Sequence, residues 1–291
     1  MTLALALPAG RSRPRRARGV LGPVGWTALV LVAAMVLLAA LAPWLAPYPV
    51  DQQDLLHPYA GPSPAHWLGT DATGRDILSR LLWGARTSLG GPALVVALSL
   101  AVGLPTGLLA AWRGGLVDAA LARVLDVVFA VPGILIAVLA VAVFEPGLTP
   151  AVLALAVAYL PYVARTTRAA ARAQRDLPYV EALELQGMGG LRICVRHILP
   201  NILGVVLAQV PVAFALALVD LASLSFLGLA VQAPAADWGV LISDTSALLQ
   251  GHPEQAVYAG LAIVTTVVAL TFLGDRLTEG RPVARARKEK R

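Results

Sequence analysis

The sequence predicts an all-α, polytopic membrane protein with six transmembrane helices, and three observations carry that prediction. Hydrophobic residues make up 58% of the 291 and charged residues only 14%, against roughly a quarter charged in a soluble domain. Six uncharged windows each approach the roughly 20 helical residues that cross a bilayer core. Basic residues gather in alternate connecting segments, as they do where a chain threads a membrane repeatedly. None of the windows has the polar face that a helix in a soluble bundle requires. Composition and pattern thus argue against a disordered chain and against a water-soluble enzyme.

Taken in order, residues 1–25 form a basic tail containing RSRPRRARG. The first span runs from Trp26 to about Ala46, and its apolar core is longer than the roughly 7–15 residues of a secretory signal, so it is read as retained. Residues 26–86 comprise this span and an extracytoplasmic segment, 48–86, rich in Asp51, Asp54, Asp71 and Asp76. That segment is expected to be a solvated loop leading to an interfacial helix, Ile77–Arg86, with Asp71 as its cap and Arg75, Asp76 and Arg80 pairing locally.

A five-helix core follows over 87–278. Its first span is Thr87–Trp112, where Gly103 and Gly107 have the small-xxx-small spacing that lets helix backbones approach. The next two, Val127–Phe144 and Pro146–Ala164, form a hairpin around Glu145. The fifth, His197–Val219, gives way at Leu221–Ala236 to a stretch rich in Gly, Ser and Pro, read as a helix end and an irregular or re-entrant loop. The sixth is Gln255–Gly274, and 279–291 is a second basic tail. Pro105, Pro132, Pro161 and Pro211 predict kinks, tolerable where neighbouring helices satisfy the freed carbonyls.

Six spans place 1–25, 112–126, 165–197 and 274–291 on one side, and these hold 20 of the 23 Lys and Arg residues. The positive-inside rule makes that side cytoplasmic, with both termini inside a cell inner membrane. The net charge of +6 is therefore an orientation signal, and no basic patch interleaved with aromatics remains to suggest nucleic acid.

Chemistry is notable for what the chain lacks. The single cysteine, Cys194, excludes an intrachain disulfide framework. His57, His66, His197 and His252 have no metal-ligand spacing. The two lysines, Lys288 and Lys290, follow no glycine, so the phosphate-binding pattern GxxxxGK[ST] is absent. No P-loop ATPase is carried by this chain, and no cofactor is expected in it. Asp126 and Asp220 fall at span edges, where burial is expensive without partners, and are candidates for a pathway or a subunit contact. No ionisable residue stands at the centre of a window, which argues against the main alternative, an ion-coupled secondary transporter. Neither a GxSxG elbow nor an HExxH helix supports a hydrolase.

Residues 165–201 are the most informative. Pro178 starts a short helix, Glu181 and Glu184 complement its N-terminus, and Gly187 supplies a stop by virtue of its access to positive φ. A second short helix from about Leu191 leads back towards the membrane. Tyr179, Val180, Leu183 and Leu185 are available to insert into a partner, although an amphipathic linker lying on lipid headgroups would have the same pattern.

The order Glu181-Ala182-Leu183, then Gly187, then Ile198-Leu199-Pro200 resembles the EAA loop of ABC-importer permease subunits, here spanning 179–200. Gly69-Thr70-Asp71, Gly74-Arg75-Asp76 and Leu78-Ser79-Arg80 resemble the GTDxxGRDxLSR signature of the dipeptide, oligopeptide and nickel permease family. Arg86-Thr87-Ser88-Leu89, Arg113-Gly114-Gly115, Ser225-Phe226-Leu227-Gly228-Leu229 and Asp237-Trp238-Gly239 fit the same family, and the likeness covers about 26–280. The chain departs from it in writing EALELQG where EAARALG is common, and in having Ala230 and Leu221 where Gly and an acidic residue are frequent.

The resemblance implies a permease subunit paired with a second, homologous permease. It also implies two cytoplasmic ABC ATPase subunits and an extracytoplasmic solute-binding protein. It assigns coupling to the ATPase to Glu181, Ala182, Leu183, Gly187, Leu199 and Pro200, within a cytoplasmic coupling helix over 179–191. Asp71, Gly74, Arg75 and Asp76 become candidates for receptor docking or for periplasmic structure. Peptides, nickel complexes and glutathione-like compounds all remain open as solutes.

Overall fold

A computed structural model describes residues 22–279. Most of both predicted basic tails therefore lies outside the described residues. Helix α1 spans Gly22–Leu45. After an irregular segment, α2 runs unbroken from Ile77 to Arg113, 37 residues or about 55 Å at 1.5 Å per residue. The separate interfacial helix expected at Ile77–Arg86 is thus the first part of α2. Nothing at 86–87 stops a helix, and Ile77, Ser79, Arg80 and Ala85 are all buried, so packing holds these turns in line. The cap is Asp76 instead of Asp71, its carboxylate accepting from the Ser79 N–H at 2.7 Å.

The expected third span, Val127–Phe144, is divided. Helix α3 covers Gly115–Phe129 and α4 covers Gly133–Phe144, with a 78° bend between them. Pro132 lies at the break, where it offers no N–H and disfavours helical backbone before it. Helix α5, Leu148–Arg175, continues well past the predicted end at Ala164 because its last turns carry arginines that pair with α3. Helix α6 is Pro178–Leu185.

From Gly190 the chain winds as α7 (Gly190–Ile193), a π-helical turn (Cys194–Ile198) and α8 (Leu199–Leu207). The wide turn immediately precedes Pro200, whose ring would crowd the carbonyl of residue 196 in a regular helix. A break at Ala208–Gln209, just ahead of Pro211, separates α8 from α9, Val210–Phe226. The expected fifth span therefore begins earlier than His197 and is broken within, and the helix end expected inside Leu221–Ala236 falls at Phe226, with irregular backbone from Leu227. Short helices α10 (Trp238–Ile242) and α11 (Thr245–Leu249) lead to α12, Glu254–Glu279. Among the described residues five helices are long and apolar enough to cross a membrane, and six if the bent α3–α4 pair is one span.

Helices α2 and α5 form the centre. Gly103 and Gly107 lie against α5 so closely that a Cβ at Gly103 would sit 2.7 Å from Val163, and one at Gly107 2.6 Å from Ala164 and Thr167. Val95, Val152, Leu155, Leu221 and Leu224 continue that core. A second cluster joins Leu89, Leu218, Trp238 and Leu241 to α12, and a third joins Ala111, Ala171, Val180, Ile193 and Ile198 near α6. Large apolar side chains such as Val30, Leu139 and Val143 point outward. An apolar exterior of this extent fits hydrocarbon and would be an aggregation hazard in water.

Candidate functional site

Helix α6 is held from behind and open in front. Val180 is 1% exposed within the third cluster, and Tyr179, Leu183, Met188 and Leu199 pack against it. Burying a side chain of this size contributes about 1.5–3 kcal/mol. On the outer face Glu181, Ala182, Glu184, Leu185, Gln186 and Gly187 are exposed. Of the predicted contacts, Glu181, Ala182, Gly187 and Pro200 thus form surface, whereas Leu183 and Leu199 face their own chain and position that surface. Among the apolar residues expected to insert into a partner, Tyr179, Val180 and Leu183 are likewise turned inward, and Leu185 remains outside at 84% exposure. Glu181 lies in the first turn of α6, but Glu184 lies in the last, where it does not complement the helix dipole.

The turn after α6 is fully specified. Gly187 has φ +79°; its N–H bonds the Glu184 carbonyl at 2.9 Å and the Met188 N–H bonds the Leu183 carbonyl at 3.1 Å. These two bonds make a Schellman cap, and the Met188 and Leu183 side chains close it on the apolar side. Beyond it Gly190 abuts the indole of Trp112, and a Cβ there would collide with that ring. The Arg175 guanidinium lies 5.2 Å from the Trp112 ring centre and donates to the Ala111 carbonyl at 2.8 Å. The ends of α2 and α5 thereby clamp the loop. Gly190, Trp112 and Arg175 were not singled out from sequence, since each depends on a neighbour from another helix.

Three arginines on one face of α5 bind α3 alongside. Arg168 donates to Asp118 at 2.6 Å, Arg172 pairs with the same carboxylate, and Arg165 meets Asp126 at 2.5 Å while lying over the Phe129 ring. Asp126 is therefore in a half-exposed ion pair. Asp220 is not at a span edge; it lies within α9, two turns before the end, and accepts from the Tyr159 hydroxyl at 2.9 Å. It faces a cleft of about 330 Å³ shared with α5 and the α3–α4 break.

At the opposite end of the bundle the 46–76 segment folds onto α2. Asp71 accepts from the Thr73 and Arg75 N–H groups and forms an ion pair with Arg80 at 2.8 Å, both side chains being nearly inaccessible. Gly74, at φ +74°, fits against the Asp54 backbone where a Cβ would collide. Asp76 caps α2 and receives His66 Nδ1 at 3.0 Å. Asp71, Gly74 and Asp76 are thus spent on the segment's own fold, and of the four candidates here only Arg75 keeps partial exposure. The exposed Asp54 carboxyl is held below its usual range, chiefly by its hydrogen bond with His57. Nearby, Ser88 donates to Asp237 at 2.6 Å and receives the Trp238 N–H at 2.9 Å, so two motifs far apart in sequence meet in one buried network. Among the described residues no group of three His, Cys, Asp or Glu is placed to hold a metal.

Residues 103–280 match the family model for the binding-protein-dependent transport system inner membrane component, and residues 23–62 match the N-terminal transmembrane domain of oligopeptide transport permease C. The chain is 35% identical over 257 residues to a dipeptide transport system permease protein from Haemophilus influenzae, covering 86% of this chain and 87% of that one. It is 36% identical over 254 residues to a glutathione transport system permease protein from Escherichia coli, covering 87% and 84%. In fold it is similar to a chain of the MetNI methionine ABC transporter solved in inward-facing conformations, with TM-score 0.57 and 18% identity over 70% of this chain and 96% of that one. The chain belongs to the family of binding-protein-dependent transport system inner membrane components, as a multi-pass permease subunit of an ABC importer that works with ATPase and substrate-binding proteins.

Proposed function

We propose that this chain forms part of the translocation pathway for peptides or related small solutes, and that α6 is the helix through which separate ATPase subunits drive it. The observation that carries the proposal is the construction of α6: a short exposed face ending in Leu185 and a Schellman turn, anchored by Val180 and Leu183 to the ends of α2, α5 and α8. A push on such a face is transmitted as rigid-body motion, because the buried side chains behind it cannot be compressed.

In this reading a second, homologous permease completes the pathway, two cytoplasmic ATPases bind the nucleotide, and an extracytoplasmic solute-binding protein delivers solute. The α6 end is cytoplasmic, as are both termini. The permease is then a two-state element whose equilibrium is biased by nucleotide on one side and by the loaded receptor on the other. Peptide is favoured as solute by the names of the relatives, which include dipeptide and glutathione permeases.

The test is uptake of alanyl-alanine into proteoliposomes containing the whole complex and its receptor. Accumulation should require ATP on the α6 side and should stop without it. Accumulation driven by an ion gradient in the absence of ATP would assign the chain to secondary transport instead.

A further inference from the structure

We propose that Asp220 holds the free α-ammonium group of a peptide in transit, in the cleft between α4, α5 and α9. This rests on the peptide reading above. Helix α9 is apolar apart from this carboxyl group and two serines, and an ionisable group in such a helix is retained where it faces a partner or a water-filled cavity. Among the described residues its side-chain partner is the neutral Tyr159 hydroxyl. No basic side chain lines the cleft. The nearest arginine along α5, Arg165, is already engaged by Asp126 and the Phe129 ring.

The α3–α4 break lines the cleft as well: the C-terminal end of α3 at Phe129 and the first residue of α4, Gly133, both stand on its wall, so their opposite dipole ends offset each other and the Asp220 carboxylate sets the sign of the site. Irregular backbone at Val131–Pro132 lines the space, as non-helical backbone at membrane depth does in transporters that hold cations. Tyr159 and Tyr162 also line the cleft, and aromatic rings attract cations. About 330 Å³ accommodates the amino-terminal part of a small peptide, at the low end of ligand cavities. An N-acylated peptide lacks the charge and loses the contact.

Because Cys194 is the single cysteine, Cys194→Ser gives a background in which Leu216→Cys, on the cleft wall, reports occupancy by its rate of alkylation in the receptor-free complex. Alanyl-alanine should slow alkylation, and N-acetyl-alanyl-alanine should need about tenfold more for the same effect, the cost of losing a hydrogen bond to a charged group. Asp220→Asn keeps an acceptor for Tyr159 and should abolish the difference between the two peptides, whereas Asp220→Glu should retain it. Equal protection by both peptides, no protection by either, or an undiminished preference in Asp220→Asn would overturn the proposal. So would loss of the partner permease from purified Asp220→Asn complex, which would show the carboxylate to be a subunit contact. If the wild-type complex transports alanyl-alanine while these results fail, only this assignment falls; if it transports no peptide, the functional reading falls with it.

Discussion

At the scale of single residues, Gly187 and Asp71 separate two kinds of importance. Gly187 has no atom within 4 Å of where a Cβ would stand, so its constraint is conformational: a left-handed L residue costs about 1–2 kcal/mol. Gly187→Ala should therefore lower the thermal stability of the purified chain slightly and leave ATP-driven uptake largely intact. Gly187→Arg should abolish uptake at comparable stability, because it adds bulk and charge to the proposed docking face; equal uptake in the two variants would contradict that assignment. Asp71 is the reverse case, buried against Arg80. Asp71→Ala should cost about 3–5 kcal/mol by leaving a buried guanidinium unpaired, seen as a large drop in melting temperature, while Arg75→Ala should cost far less. The Gly187 stop was legible in sequence because a helix C-cap is written in adjacent residues. The contact of Gly190 with Trp112 was not, since its reason lies on another helix.

At the scale of elements, proline and glycine positions located the breaks and close approaches, but not their partners. Pro132 marked a kink; that α3 would turn by 78° and lie along α5 follows from Asp118 and Asp126 meeting Arg165, Arg168 and Arg172, which a scan for uncharged windows necessarily discards. The same scan placed Asp220 at an edge because each window was cut at its first charge, whereas the helix continues through it to Phe226. Gly103 and Gly107 were correctly spaced for packing, and the structure supplies the surface they pack on. Gly107→Leu should thus force α2 from α5 and destabilise the bundle by about 1–3 kcal/mol or more, measurable as earlier thermal aggregation in detergent. The half-buried Gly260, where nothing lies within 4 Å of an added Cβ, is the control, and Gly260→Leu should be nearly neutral.

For the whole molecule, the class of fold was readable from composition and spacing alone, because a bilayer imposes one length and one polarity on every crossing element. Partners and orientation are written only in charge asymmetry and in the α6 surface. In the Cys194→Ser background, Gln53→Cys should react with an impermeant maleimide added outside intact cells, and Ala173→Cys only after the cells are opened; the reverse would invert the proposed topology. The central claim, that α6 is where ATP-driven motion enters this chain, is tested most directly by cross-linking within the assembled complex. A thiol placed by Ala182→Cys and labelled with a maleimide-benzophenone should photo-cross-link to an ATPase subunit, with a yield that changes between nucleotide-free and ATP-bound states. Cross-linking from Gln53→Cys to the ATPase, or none from Ala182→Cys in a complex that still transports, would contradict it.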